Sequence, residues 1–306
     1  MSLHIETNLI ESRALSMKTG RSVWLKLEAL QTTGSFKIRG VGHASEIYVA
    51  RGAKKLVSSS GGNAGLAVAY AGRLLGVPVT VVIPETTTER AKELLRLENA
   101  EVVVHGASWQ EANEFAQSLL DSSTAFIHPF DDPLLWQGHA TLVDEIHASG
   151  FKPDAVVLSV GGGGLLSGVI EGLHRNGWSD IPVFAVETQG AASFYEAVKR
   201  GSSVELDHIS SVATSLGAKR VCEQAVNWSK QHRIHNVLVS DASALSACES
   251  FLAGHRLLVE PACGASLALT YDDRPELNDF QQILIVVCGG VTATIEQIKL
   301  WQNAQL

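Results

Sequence analysis

The chain has 306 residues, 45% of them hydrophobic, with a mean hydropathy of +0.12, enough apolar material for two globular lobes or one large doubly wound unit. A formal net charge of −8 and a pI near 5.8 argue against a general nucleic-acid or anionic-membrane binder, which needs clustered Lys and Arg. Cys222, Cys248, Cys263 and Cys288 show no CxxC spacing, so no disulfide framework is expected and scattered thiols favour a reducing cytoplasm. The N-terminus lacks a basic segment followed by a long apolar one, and no apolar run approaches the roughly 18 residues of a membrane span. A cytoplasmic protein with neither membrane nor nucleic-acid partners is the expectation.

Apolar strands alternate with helical stretches along the whole chain, which predicts an α/β fold with mainly parallel sheets flanked by helices on both faces. The first predicted strand spans 23–27. Beyond it lies Ser35-Phe36-Lys37-Ile38-Arg39-Gly40, where apolar and small neighbours make burial of Lys37 plausible. Burial lowers an amine pKa towards the range useful for a base, and a lysine amine can form a Schiff base with an aldehyde. A strand over 55–58 runs into Ser58-Ser59-Ser60-Gly61-Gly62-Asn63-Ala64-Gly65, a turn into a helix. Its hydroxyls and free amides suit a carboxylate, although Ser and Asn also serve as ordinary turn formers and caps.

Strands follow at 78–83 and 101–105, separated by an amphipathic helix over 87–99. A further helix is capped by Ser108, with Trp109, Ala112, Phe115, Ala116 and Leu119 on one face. The strand at 125–128 precedes His128-Pro129-Phe130-Asp131-Asp132. The strand at 155–160 delivers four consecutive glycines, Gly161, Gly162, Gly163 and Gly164, into the helical run that begins at Leu165. Unpaired N–H groups and the positive end of a helix dipole suit a phosphate dianion there. No Gly-Lys-Ser/Thr follows, so this is no Walker loop, and its mid-chain place does not fit a dinucleotide fingerprint.

Strands at 183–187, 236–239 and 283–287 complete the pattern. Glu187 ends one of them, and Glu260 stands before Pro261; both read as caps or salt-bridge partners rather than catalytic acids. Cys288 follows the last strand, where ligands of open sheets bind, and is either functional or a small buried hydrophobe. His128, His139 and the other histidines lack metal-ligand spacing, so zinc chemistry is not expected. Reactive amine and phosphate cradle together suit one cofactor, pyridoxal 5′-phosphate. So many strands also favour two lobes with a cleft between them.

In this order the segments resemble the fold type II pyridoxal-phosphate enzymes, of tryptophan synthase β-like architecture, and within them the serine/threonine dehydratases. The likeness rests on Lys26-Leu27-Glu28, the run around Lys37, Ser60–Gly65, His128–Asp132, the glycine run, Val259-Glu260-Pro261-Ala262-Cys263-Gly264 and Cys288-Gly289-Gly290, over nearly the whole chain. It implies a cofactor lobe from 1–31 with 135–306 and a substrate-loop lobe from 32–134. It implies that Lys37 carries the cofactor and is the catalytic base, that Gly161 to Gly164 and Leu165 hold its phosphate, that Asn63 bonds its ring oxygen and that Cys288 faces its ring nitrogen. Ser60, Gly61, Asn63 and Ala64 would grip the substrate carboxylate. A monovalent cation such as potassium would lie among Glu187, Ser193 and the backbone oxygens of Gly161, Ala191, Leu216 and Ala218.

The activity so implied is β-elimination of water from L-serine or L-threonine, which leaves pyruvate or 2-oxobutanoate and ammonia, in a homodimer. A neutral thiol beside the ring disfavours a long-lived carbanion and so favours elimination over transamination. Serine racemases resemble the chain at Lys37 and Asn63 but carry a serine where Gly61 stands. Other fold type II lyases and synthases, or a catalytically silent homologue, are the remaining alternatives. No room remains after the final helix for a C-terminal regulatory domain, so feedback inhibition by isoleucine is not expected.

Overall fold

Uninterrupted apolar runs form the buried strands, and charged or amphipathic stretches form the helices that cover them. The computed structural model describes residues 2–305. Its strands are β1 (Leu9–Glu11), β2 (Ser22–Lys26), β3 (Lys55–Ser58), β4 (Val79–Ile83), β5 (Glu101–Val104), β6 (Thr124–Phe126), β7 (Ala155–Ser159), β8 (Val183–Thr188), β9 (Ile234–Val239) and β10 (Gln282–Val286). The helices of the N-terminal half are α1 (Arg13–Thr19), α2 (Lys37–Ala50), α3 (Asn63–Leu75), α4 (Glu89–Leu97), α5 (Trp109–Ser118) and α6 (Pro133–Ala148). Those of the C-terminal half are α7 (Gly164–Arg175), α8 (Ser193–Arg200), α9 (Glu223–Gln231), α10 (Asp241–His255), α11 (Pro261–Tyr271) and α12 (Ile295–Gln305).

Two sheets result. The larger has the order β1-β2-β10-β7-β8-β9, and the smaller β5-β4-β3-β6. Every pairing is parallel except β1 with β2. Each sheet has its own core: the fully buried residues of the large one skip from Leu27 to Leu142, while Ile38 to Leu135 pack around the small one. Residues 79–83 are buried throughout, as expected of a strand covered on both faces.

Three details depart from the sequence-based expectation. Strand β1 has no counterpart in it, because a three-residue, half-exposed edge strand carries too little pattern to register. His128 lies beyond β6, because its ring turns back to accept the N–H groups of Phe130 and Asp131. Trp109 stands exposed in the first turn of α5 while Ala112 and Ala116 face the core. Ser108 does cap that helix, in a reciprocal box with Glu111.

A buried ionic knot ties α2 to α6 and to the end of β2. Arg39 Nε and Nη2 donate to both oxygens of Glu28, at 2.6 and 2.8 Å. Its other bonds reach both oxygens of Glu145 on α6, at 2.6 and 2.7 Å. Lys26 at the end of β2 donates to the same Glu145 and to the Thr7 carbonyl. Two cations balance two carboxylates, and the remaining donors reach Thr141 and Thr7. Losing Arg39 alone would strand Glu28, which is wholly buried. Arg39→Met is therefore expected to cost about 3–5 kcal/mol of stability, read as a large drop in the urea midpoint.

Candidate active site

Lys37 is the first residue of α2, and its position is set by the far end of the chain. The backbone N–H of Phe36 donates to the Cys288 carbonyl at 3.2 Å, and that of Gly290 to Gly34 at 2.8 Å. Ser35 and Gly289 bridge in antiparallel fashion between these bonds. The loop before α2 is thus stitched to the chain leaving β10, so Lys37 and Cys288 line one cleft. The Lys37 amine donates to the Pro129 carbonyl at 2.5 Å. Burial draws it from the ordinary lysine value down to about 8, while Glu260 and Cys288 pull the other way.

Opposite the amine lies the tetraglycine turn between β7 and α7. Gly163 has φ +88°, a backbone that L side chains rarely adopt. A side chain at Gly162 would collide with the Phe130 ring, and one at Gly161 would come within 2.9 Å of the Ser215 carbonyl. The backbone N–H groups from Gly161 to Leu165 find no acceptor among the described residues, and they cluster at the start of α7. Five such donors at a helix start form a cradle for an anion.

Asn63, first residue of α3, enters the cleft from the side of the four-stranded sheet. Its Oδ1 accepts the Val291 N–H at 3.0 Å, and its Nδ2 donates to Glu260 Oε1 at 2.9 Å and to Ser215 Oγ at 3.4 Å. Cys288 is buried; hydrogen bonding with Cys263, then burial, push its thiol well above the usual range. Ser60, Gly61 and Ala64 precede or follow Asn63 in the same turn but are not among the residues that line the cleft. Ser60 Oγ accepts the Gly62 N–H, a local turn bond.

A family model described as pyridoxal-phosphate dependent enzyme matches residues 1–289. The chain belongs to that family. It is 44% identical to the L-serine dehydratase/L-threonine deaminase of Mus musculus, over 97% of this chain and 94% of the mouse protein. A fungal L-serine ammonia-lyase from Rhizomucor miehei superposes with a TM-score of 0.95 at 33% identity, covering 100% of both chains. Maize serine racemase superposes at 0.87 with 23% identity, over 99% of this chain and 92% of the other, a likeness of fold.

Of the residues expected to hold a cation, Gly161 and Leu216 line the cleft, whereas Glu187, Ala191, Ser193 and Ala218 do not. Glu187 accepts the N–H groups of Phe194 and Tyr195 at 2.8 and 2.7 Å, so it serves the start of α8. Burial pushes its carboxyl up to about 8 against those two bonds. Ser193 Oγ is buried with no partner among the described residues.

Glu260 is neither the cap nor the salt-bridge partner expected of it. It is the N-cap residue of α11, yet its side chain makes no cap bond and turns into the cleft. Phe36, Phe130 and Ser215 also line the cleft. Phe130 had a signal in the His-Pro-Phe-Asp-Asp run, but nothing around Ser215 distinguishes it from a surface serine.

The depressed Lys37 pKa gives a direct expectation for the protein freed of cofactor. An amine with a pKa near 8 is mostly neutral at pH 9, where an ordinary lysine is still charged. Capture of pyridoxal phosphate, trapped by borohydride at rising pH, should show a half-maximal initial rate near pH 8. Peptide mapping should place the label on Lys37.

Proposed function

We propose that this chain uses pyridoxal 5′-phosphate to remove water and ammonia from L-serine and L-threonine, giving pyruvate and 2-oxobutanoate. One observation carries the reading: a buried amine of lowered pKa shares a cleft with a helix-start cradle of free N–H groups and a protonated thiol. That donor set fits the cofactor, whose phosphate matches the cradle and whose aldehyde matches the amine. The mouse dehydratase and the Rhizomucor ammonia-lyase, similar over nearly the whole chain, point to the same reaction.

When bound, the cofactor supplies the electron sink for a carbanion at the substrate Cα. The chain's residues do the rest. In the reading, the N–H groups of Gly161 to Leu165 would hold the phosphate, and Asn63 Nδ2 would donate to the ring oxygen with the hydrogen it otherwise gives, at 3.4 Å, to Ser215 Oγ. The Cys288 thiol would stay neutral near the ring and lend no proton, which favours prompt loss of a β-hydroxyl. Lys37 would hold the cofactor through its amine and serve as the general base for the substrate Cα proton. Ser60, Gly61, Asn63 and Ala64 orient the substrate carboxylate by backbone and side-chain donors.

The division into 1–31 with 135–306 and 32–134 belongs to the same proposal; separate cores around the two sheets support it. A homodimer, which rests on the family resemblance, and a potassium ion also belong to the proposal. The ion's ligands would be Glu187, Ser193 and the carbonyls of Gly161, Ala191, Leu216 and Ala218. The lone carboxylate in that set suits one positive charge better than two. The racemase alternative is disfavoured at Gly61: a Cβ there would stand 2.8 Å from Thr87 Cγ2 and 3.1 Å from Ile83 Cγ2.

Incubation of the loaded protein with L-serine or L-threonine should yield 2-oxo acid and ammonia in equal amounts. Lys37→Ala should lower the rate by about 10³-fold or more, and full activity in that variant would remove the proposed mechanism. D-Serine measured by chiral chromatography should stay at background, and its rapid formation would revive the racemase reading.

A further inference from the structure

An acidic residue before a helix usually spends its carboxylate on the helix's free N–H groups. Glu260 is placed to do so, with Pro261 as the first residue of α11, yet it makes no such bond. Its carboxylate instead bridges two segments far apart in sequence. Oε1 accepts from Asn63 Nδ2 at 2.9 Å, and Oε2 accepts from Thr292 Oγ1. Gly290, at φ +117°, leaves the space it occupies, because a side chain there would collide with the carboxyl group. Among the described residues the side-chain partners of this 3% exposed carboxylate are one amide and one hydroxyl, neither of them a cation.

The amide it grips has no freedom left. Asn63 Oδ1 is taken by the Val291 N–H, so the amide cannot flip, and Glu260 fixes the opposite end. Glu260 is also the only carboxylate among the residues lining the cleft, and Lys37 the only amine. The titratable groups around this pair are Cys288, Cys263 and Cys248 near Glu260, and His128 and His139 near Lys37. Hydrogen bonding with Cys263, then burial, keeps the Cys288 thiol protonated; burial does the same for Cys248 and keeps both imidazoles neutral.

We propose that Glu260 is a positioning residue that clamps the Asn63 amide towards the cofactor and supplies the one negative charge facing Lys37 across the cleft. The inference rests on the reading above, in which Asn63 addresses the cofactor ring. It deepens that reading by giving the small-lobe loop a fixed anchor on the large lobe. It also makes the protonation of the lysine end of the site depend on Glu260.

The test compares wild type, Glu260→Gln, Glu260→Ala and Thr292→Val, each loaded with pyridoxal phosphate. Three properties are followed: the visible band of the bound cofactor as a function of pH, kcat and KM for L-serine, and the melting temperature. Glu260→Ala should lower kcat by about 10- to 100-fold, with a smaller change in KM, and move the midpoint of the band's pH titration downwards. Glu260→Gln keeps an oxygen to accept from Asn63, so it should recover most of kcat while retaining the shifted midpoint. Thr292→Val should fall between Glu260→Gln and wild type in kcat.

A folded Glu260→Ala with wild-type band, midpoint and kcat would overturn the proposal, as would a wild-type midpoint in Glu260→Gln. Should Glu260→Ala fail to fold, the Gln and Val variants decide by the same criteria. A wild-type protein that forms no cofactor band sinks the underlying functional reading, and this inference falls with it. A normal wild-type band with indifferent Glu260 variants sinks the inference alone.

Discussion

The fork of Arg39 is the interaction on which the rest of the molecule depends. It stands two residues beyond Lys37 on α2, a helix whose N-cap residue, Phe36, provides no side-chain cap. What fixes that helix start is therefore tertiary: Glu28, just beyond β2, and Glu145 from α6 hold all three nitrogens of the guanidinium. A planar group bound on two edges resists rotation as well as translation, which a lysine at the same place would not do. The Phe36 bond to Cys288 then sets the remaining coordinate, the height of Lys37 above the large sheet. A rigid base carries a reactive tip.

The glycine turn follows from the same need for close approach. Phe130 and the short helical turn holding Ser215 and Leu216 press on the glycines from two sides, leaving no volume for side chains at Gly161, Gly162 or Gly164. Small residues are needed there whether or not an anion is bound, because the surrounding walls have already come in. Their effect on chemistry is that backbone amides, not side chains, face the cleft. Amide donors have fixed direction and no charge to neutralise, so a phosphate can be held without competing cations near the lysine.

Much of this was legible in the sequence, and the reasons are specific. The run at 79–83 reads as a strand because nothing polar but Thr80 interrupts it, and burial on both faces demands that composition. Lys37 and the glycines announce themselves because each is flanked by residues that make sense only at a turn or a buried helix start. Strand β1 was invisible for the opposite reason, since three half-exposed residues are ordinary loop composition. Glu260 is not legible locally, because an acid before Pro261 looks the same whether it caps the helix or reaches across a cleft. The choice is made by Thr292, Asn63 and Gly290, which no local window contains. Ser215 likewise gains meaning only from the fold.

Strand β10 occupies an inner position of the large sheet, between β2 and β7, although it is the last strand to be made. The seam that seats Phe36 against Cys288 spans some 250 residues of chain. A growing polypeptide on the ribosome thus cannot bring Lys37 and Cys288 to one cleft until β10 has been made. The small sheet, closed from residues 55 to 126, lies within a stretch completed much earlier. Long-range closure of this kind is slow. It also leaves β2 and β7 with open edges in the interim, a window in which the nascent chain calls for chaperone protection.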